Sequence, residues 1–275
     1  MSKQVLLVIV SVFLTLQLYP QQQKKVNSER VKSAIQSHLD SIYNSETDFG
    51  GATIGVVLPD NTVVEFSVGL SDIENKTPMR PDHRMLGGST GKIFVSTAIM
   101  QLVEQGRLKL DDPVSTFLGE HQWFNRIQNA NTLKIRHLLQ HSSGISRYVF
   151  ETEFQQELKI DADKIWAPET LLSYVFDKEP LFEAGSDFSY SDTNYIVLGM
   201  VLEKITGGSL YSYVDQYILK PMNLDRVSPQ TQRNIPNLAI GYSSTEDLFY
   251  PGTVVENGSY KYNLQFEWAG GGFVN

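Results

Sequence analysis

"GGSTGKIF", residues 87–94, carries three overlapping catalytic patterns. Glycines followed by Gly91-Lys92 suggest a phosphate-binding loop. Gly87-x-Ser89-x-Gly91 spells a nucleophile elbow. Ser89-x-x-Lys92 sets a hydroxyl and an amine three residues apart. The three patterns exclude one another, and the neighbouring residues choose among them.

A phosphate loop needs glycine, four residues, then Gly-Lys-Ser/Thr. Counting back from Gly91, the first glycine falls on Leu86, and Ile93 after Lys92 has no hydroxyl for magnesium. The nucleophile elbow needs a buried strand running into the serine. The preceding "RPDHRML" contains a proline and several polar residues, so it makes a poor strand. The elbow's histidine should also come late in the chain. The histidines after Ser89 are His121, His137 and His141, all within 52 residues, too soon for a doubly wound sheet.

The serine–lysine pattern asks for less. Residues three apart share a helix face, one turn from each other. Apolar Ile93, Phe94, Val95, Ala98, Ile99, Met100, Leu102 and Val103 cover nearly every face after Ser89. That pattern predicts a buried helix from Ser89 to Val103, stopped by Gly106. Lys92 then holds its amine beside the Ser89 hydroxyl. A serine hydroxyl is a weak nucleophile until a base takes its proton. An amine does so only when neutral, against a reference pKa of about 10.4; burial and the positive end of a helix both favour neutrality. The same helix start offers the Ser89 N–H as an oxyanion donor. A lone Ser-x-x-Lys, however, also describes a capping serine with a solvated lysine.

A second stretch, "EAGSDFSYSDTNYIVLG" (183–199), bears on that choice. Read alone, Tyr190-Ser191-Asp192 starts a helix with Asp192 or Thr193 as cap. Together with Ser89 and Lys92 it resembles the second motif of the serine β-lactamase and penicillin-binding-protein family. The resembling branch contains class C β-lactamases, D-amino-acid carboxypeptidases and certain esterases. "STGKIFVSTAIMQLVEQGRLKLDDPV", "LKIRHLLQHSSGIS" and "GSDFSYSDTNYIVLGMVLEKITGGSLYSYVDQYILKPMNL" carry the likeness, which runs from about Phe49 to the end.

The resemblance implies an α+β fold: an antiparallel sheet flanked by helices, plus an all-helical lobe. It implies an acyl-enzyme on Ser89, with Lys92 and Tyr190 sharing the proton work. Which of the two is the base stays open. In this branch an asparagine usually stands where the chain has Asp192, placed for substrate binding. An ionised carboxylate only accepts hydrogen bonds, and an inward-pointing Asp192 would favour the charged form of Lys92. This favours Tyr190 as base and implies slight β-lactamase activity at most. The expected function is hydrolysis of amide or ester bonds in D-amino-acid peptides or related small substrates. Alternatives are a non-catalytic recognition module with the same fold, or an α/β-hydrolase esterase using the same serine. The family's third motif, Lys- or His-x-Gly on a later strand, does not occur. The chain stops at "EWAGGGFVN", so the later strands of the sheet are expected to be missing. A piece lacking them is expected to fold poorly and to be nearly inactive, since a lone hairpin is marginal.

Working outward, "ATIGVVL" (52–58) and "TVVEFSVGL" (62–70) flank Pro59-Asp60-Asn61 and predict a β-hairpin. Val31, Ala34, Ile35, Leu39 and Ile42 predict an amphipathic helix capped by Ser28. Further helices are predicted near 133–141, 169–177, 193–206 and 209–219, the third stopped by Gly207-Gly208. Lys3 before 14 mostly apolar residues, Val5–Leu18, is too short to span a membrane and reads as a secretion signal. "LYPQQQ" is a poor cleavage site, so residues 5–18 are a cleaved signal or a retained anchor. The expected organisation is 1–20 signal or anchor, 21–27 linker and 28–275 catalytic domain, in a secreted or periplasmic protein.

Composition narrows the partners. The chain has 275 residues, 41% hydrophobic and 20% charged, with net charge −8 and no cysteine. Disulfides, cysteine nucleophiles, thiolate metal sites and a cysteine lipid anchor are excluded. An acidic surface without a basic run disfavours nucleic acid. The expected partner is a small-molecule or peptide substrate, with no cofactor and membrane contact only through residues 5–18. His137 and His141 sit four apart as zinc ligands do, but "HLLQH" lacks the metalloprotease glutamate, so no metal is expected. Trp123, Trp166 and Trp268 read as core, and Asp111-Asp112 as an exposed loop pair without a third acid for calcium.

Overall fold

A computed structural model describes residues 28–45, 50–247, 249 and 251–275. The residue 5–18 segment and the linker lie outside them. Two compact units meet in sequence at Pro81/Asp82.

The first unit holds helix α1 (Ser28–Ser45) and strands β1 (Gly51–Val57), β2 (Val63–Asp72) and β3 (Thr77–Pro78), in sheet order β1-β2-β3. β1 and β2 are antiparallel, in register from Gly51↔Gly69 to Val57↔Val63. Their turn closes with the Asn61 N–H donating to the Leu58 carbonyl, and Asn61 itself is left-handed at φ 65°. Asparagine tolerates that conformation, so the hairpin sits where the sequence put it. On α1, Val31, Ile35, Leu39 and Tyr43 form the stripe packed on Leu58, Val64, Phe66 and Val68. They recur every four residues, one above another on a single face. Ala34 and Ile42, expected on that stripe, are exposed instead. Strand β3 has only two residues and was not legible in the sequence.

The second unit holds α2 (Lys92–Glu104), α3 (Ser115–Leu118), α4 (Ile135–Leu139), α5 (Thr152–Ile160), α6 (Pro168–Ser173), α7 (Thr193–Thr206) and α8 (Leu210–Val214). Its strands are pairs of two residues: β4 (Ser228–Pro229) with β7 (Phe273–Val274), and β5 (Val255–Glu256) with β6 (Ser259–Tyr260). α7 is the central element and packs on α2, α3, α4 and α6. Residues 193–199 along it are all buried, as an all-round apolar helix must be. Gly199 permits its closest approach: a Cβ there would come within 2.7 Å of Ala269 Cβ. Gly207, at φ 72°, ends the helix with its N–H on the Glu203 carbonyl. The chain therefore combines helices with small antiparallel sheets, the α+β class expected.

Two predicted elements are corrected in detail. The 209–219 helix is α8 followed by a wider π-turn at Asp215–Leu219. The helix expected from Ser89 starts at Lys92, because Gly88–Gly91 form a 3₁₀ turn. Nor is it buried all round: Val95, Ala98, Ile99 and Leu102 are buried, while Ile93 and Met100 are exposed.

Candidate active site

The site gathers on the turn before α2, the start of α7, the loop after α4 and the segment 267–270. The tighter 3₁₀ turn eclipses side chains three apart, which brings Ser89 and Lys92 together as the α-helical reading expected. Lys92 Nζ lies 3.3 Å from Ser89 Oγ. Tyr190 reaches the same atom from the other side, its hydroxyl 2.7 Å from Ser89 Oγ. Ser89 is exposed to solvent, whereas Lys92 is buried.

Lys92 Nζ has three oxygen neighbours: Ser89 Oγ, Asp192 Oδ1 at 3.0 Å and the Gly270 carbonyl. Three acceptors match the three N–H bonds of an ammonium, so the buried amine is satisfied in its charged form. This is the arrangement that an inward-pointing Asp192 was expected to make with Lys92.

Asp192 does point inward. It occupies the N-cap position of α7, but its side chain makes no cap bond. Its two oxygens divide between two cations. Oδ1 takes Lys92, and Oδ2 takes Arg147 through Nε at 2.9 Å and Nη2 at 2.7 Å. Thr193, the other expected cap, instead donates to the Ser146 carbonyl and accepts from the Tyr148 N–H.

Tyr190 lies among cations and rings. Lys92 Nζ is 5.1 Å and the Arg147 guanidinium carbon 5.0 Å from its ring centre, within cation–π range. His141 packs beneath it, the ring centroids 4.3 Å apart. His141 itself is left-handed at φ 56°, and its Nδ1 accepts the Ser191 N–H. Burial, and after it the charge of Lys92, push the His141 pKa below its ordinary value. A neutral imidazole suits a ring that accepts a backbone proton. His137 and His141 do not share a helix, since α4 ends at Leu139. Among the described residues no group of three or more metal-binding side chains forms.

A pocket opens beside Ser89, lined by Arg147, Val149, Asp192, Phe249, Phe266 and Glu267 among others. Half-buried Glu267 is the titrating acid there. Burial raises its pKa to about 7, with Lys92 opposing the rise and Asp192 adding to it. The Tyr148 hydroxyl at the pocket wall donates to the Phe266 carbonyl at 2.7 Å, and burial raises its pKa well above the ordinary tyrosine range.

The structure thus brings together Ser89, Lys92, Tyr190 and Asp192, the four residues named from sequence. Sequence reasoning missed Arg147, His141 as the floor under Tyr190, Glu267 and the Gly270 carbonyl. Arg147 follows "SSGIS" with no motif of its own, and a main-chain carbonyl leaves no letter to read. The elbow alternative loses its strand: Leu86 makes only an isolated bridge to Val274. Trp166 and Trp268 are core, and Asp111 pairs with Arg136 at 2.6 and 2.7 Å.

Comparison with known proteins agrees with this fold. A beta-lactamase family model matches residues 31–262. The Bacillus subtilis (strain 168) protein PbpX is 26% identical over 219 residues, 79% of this chain and 51% of that protein. The structure of a D-stereospecific amidohydrolase from a Streptomyces species superposes with a TM-score of 0.73 at 26% identity, over 88% of this chain and 68% of that one. D-amino acid amidase from Ochrobactrum anthropi SV3 shares the fold at a TM-score of 0.73 and 24% identity, over 90% of this chain and 67% of that one. The chain spans about half the length of the curated relatives it matches.

Proposed function

The chain belongs to the beta-lactamase family, and from that premise we propose that it is a serine hydrolase working through an acyl-enzyme on Ser89. The observation that carries this reading is the convergence of Lys92 Nζ and Tyr190 Oη on one exposed hydroxyl oxygen, at 3.3 and 2.7 Å. A nucleophile with its base inside hydrogen-bond reach is the arrangement that covalent catalysis requires.

The roles follow from charge. Lys92, surrounded by acceptors and paired to Asp192, serves as a fixed ammonium. Tyr190 then takes the proton as a phenolate beside that cation. The Ser89 proton moves to Tyr190 Oη while Oγ bonds to the carbonyl carbon of the substrate. Collapse of the tetrahedral adduct breaks the bond to the leaving amine or alcohol, which receives the proton from Tyr190. Water, deprotonated by the same phenolate, then attacks the acyl ester; the bond to Oγ breaks, Tyr190 returns the proton to Oγ, and the acid product leaves. The Ser89 N–H is the oxyanion donor this mechanism uses.

The substrates we propose are amides or esters of D-amino acids or related small peptides. The likeness to a D-stereospecific amidohydrolase supports this class. The pocket also joins an apolar wall, Val149, Phe249 and Phe266, to a polar side with Arg147, Asp192 and Glu267. β-Lactam turnover is proposed to be slight, because Asp192 offers only acceptors and both oxygens are already occupied. Export to the periplasm or exterior is proposed from residues 5–18; among the described residues no helix is long and apolar enough to cross a membrane.

Treatment with a fluorophosphonate or a penicillin, followed by peptide mass spectrometry, tests the reading. An adduct on Ser89, absent in Ser89→Ala and weaker in Lys92→Ala, is expected. A folded protein that takes no adduct is a recognition module instead. An adduct indifferent to Lys92 points to an unrelated esterase mechanism.

A further inference from the structure

Asp192 is a buried carboxylate shared by two cations, and the second of them, Arg147, has no part in the chemistry above. Side-chain exposure is 7% for Lys92, 11% for Asp192 and 32% for Arg147. Two donors of Arg147 converge on Oδ2, and Lys92 takes Oδ1. The guanidinium is itself fixed by ring faces, 4.3 Å from the Phe150 centroid and 5.0 Å from that of Tyr190. Arg147 therefore clamps the orientation of the carboxylate.

We propose that Arg147 is a positioning residue for acylation: by holding Oδ2, it makes Asp192 present a single oxygen to Lys92 and keeps the ammonium beside Ser89. The proposal rests on Ser89 being the nucleophile. Without Arg147, both carboxylate oxygens are free to turn onto Lys92 and draw Nζ away from Ser89, leaving a tight one-to-one buried pair. Without Asp192, two cations face one another across a space with no anion, and Lys92 is pushed out of place. Without both, one cation remains, still held by the Gly270 carbonyl and Ser89. Each single change is therefore harmful, and the second change repairs part of the first. Ordinary independent contacts would instead multiply their losses.

Fluorophosphonate labelling kinetics at Ser89 test this on the whole chain, together with melting temperatures. Arg147→Met and Asp192→Asn are each expected to slow the first-order labelling step about tenfold, with little change in probe affinity. The combined variant is expected to label faster than either single one, and Arg147→Lys to lie between Arg147→Met and wild type. Single losses that multiply in the combined variant overturn the proposal while leaving the hydrolase reading intact. Losses that simply track lowered melting temperature do the same. A wild-type protein that takes no label at Ser89 overturns both. If Asp192→Asn fails to fold, hydrogen exchange of the Arg147 Nε–H still decides: slow exchange in wild type supports the clamp, and exchange at the free-arginine rate overturns it.

Discussion

The hairpin unit and the helical unit stand on different foundations. Among the described residues, five apolar side chains are buried around the hairpin, against thirty-nine in the cluster around α7. The hairpin keeps its register through backbone pairing and one stripe of α1, and leaves Ile54, Val57 and Val63 exposed. The helical unit encloses residues 193–199 completely. All of the candidate chemistry sits in the thicker unit. A buried ion pair such as Lys92–Asp192 survives only where surrounding groups hold it and supply further hydrogen bonds, and a five-residue core cannot do that.

The sharpest way to break this contrast is at Ser89. Ser89→Ala should lower turnover at least about 10⁴-fold, while the melting temperature falls only slightly, because the exposed hydroxyl packs little and Lys92 keeps Asp192 and the Gly270 carbonyl. A large loss of stability would mean that site and core are not separable. Next in size, Leu198→Ala in the middle of α7 should cost about 4 kcal/mol in denaturant unfolding, because its neighbours are too tightly packed to collapse into the void. Phe66→Ala on β2 removes a larger side chain but should cost only about 3 kcal/mol, since the small cluster relaxes more readily. Equal or reversed costs would erase the proposed difference between the two cores.

A pH measurement sharpens the comparison from another side. Glu267 in the helical unit binds its proton more tightly folded, at about 7, than the ordinary 4.5 of an unfolded glutamate. That contribution to stability is full below pH 4.5 and is lost as pH rises to about 7, so stability falls across this window. Glu267→Gln should flatten the fall in a pH series of unfolding curves. The smallest effect is expected at Gly207, where φ is 72° but nothing lies within 4 Å of a new Cβ. Gly207→Ala there costs only the left-handed backbone, about 1 kcal/mol, by thermal melting.

Much of this was legible in the letters. Helix α7 begins and ends at the expected residues because its apolar run is bounded by Asp192 and by Gly207, whose backbone freedom the stop requires. The hairpin was legible because Pro59-Asp60-Asn61 interrupts two β-branched runs. Helix α5 was not, since "TEFQQELKI" buries only Phe154 and Leu158 and otherwise looks like a polar loop. The 3₁₀ turn at Ser89 follows from backbone geometry that glycine letters permit but do not specify. At the site, Ser89, Lys92, Tyr190 and Asp192 were found by spacing and resemblance. Arg147 was not, because it meets Asp192 from 45 residues away and no local pattern records that meeting.

The Gly270 carbonyl leaves a consequence for anyone engineering this scaffold. One of the three anchors of Lys92 is spelled in main chain, so scanning mutagenesis at that position would score it as unimportant. Alanine there would meet Asp192 and Lys92 only at 3.8–3.9 Å, an ordinary contact, and the anchor would persist unnoticed. Chemical protein synthesis, replacing the Gly270–Gly271 amide with an ester to weaken that oxygen, would expose a dependence that no codon change can reach.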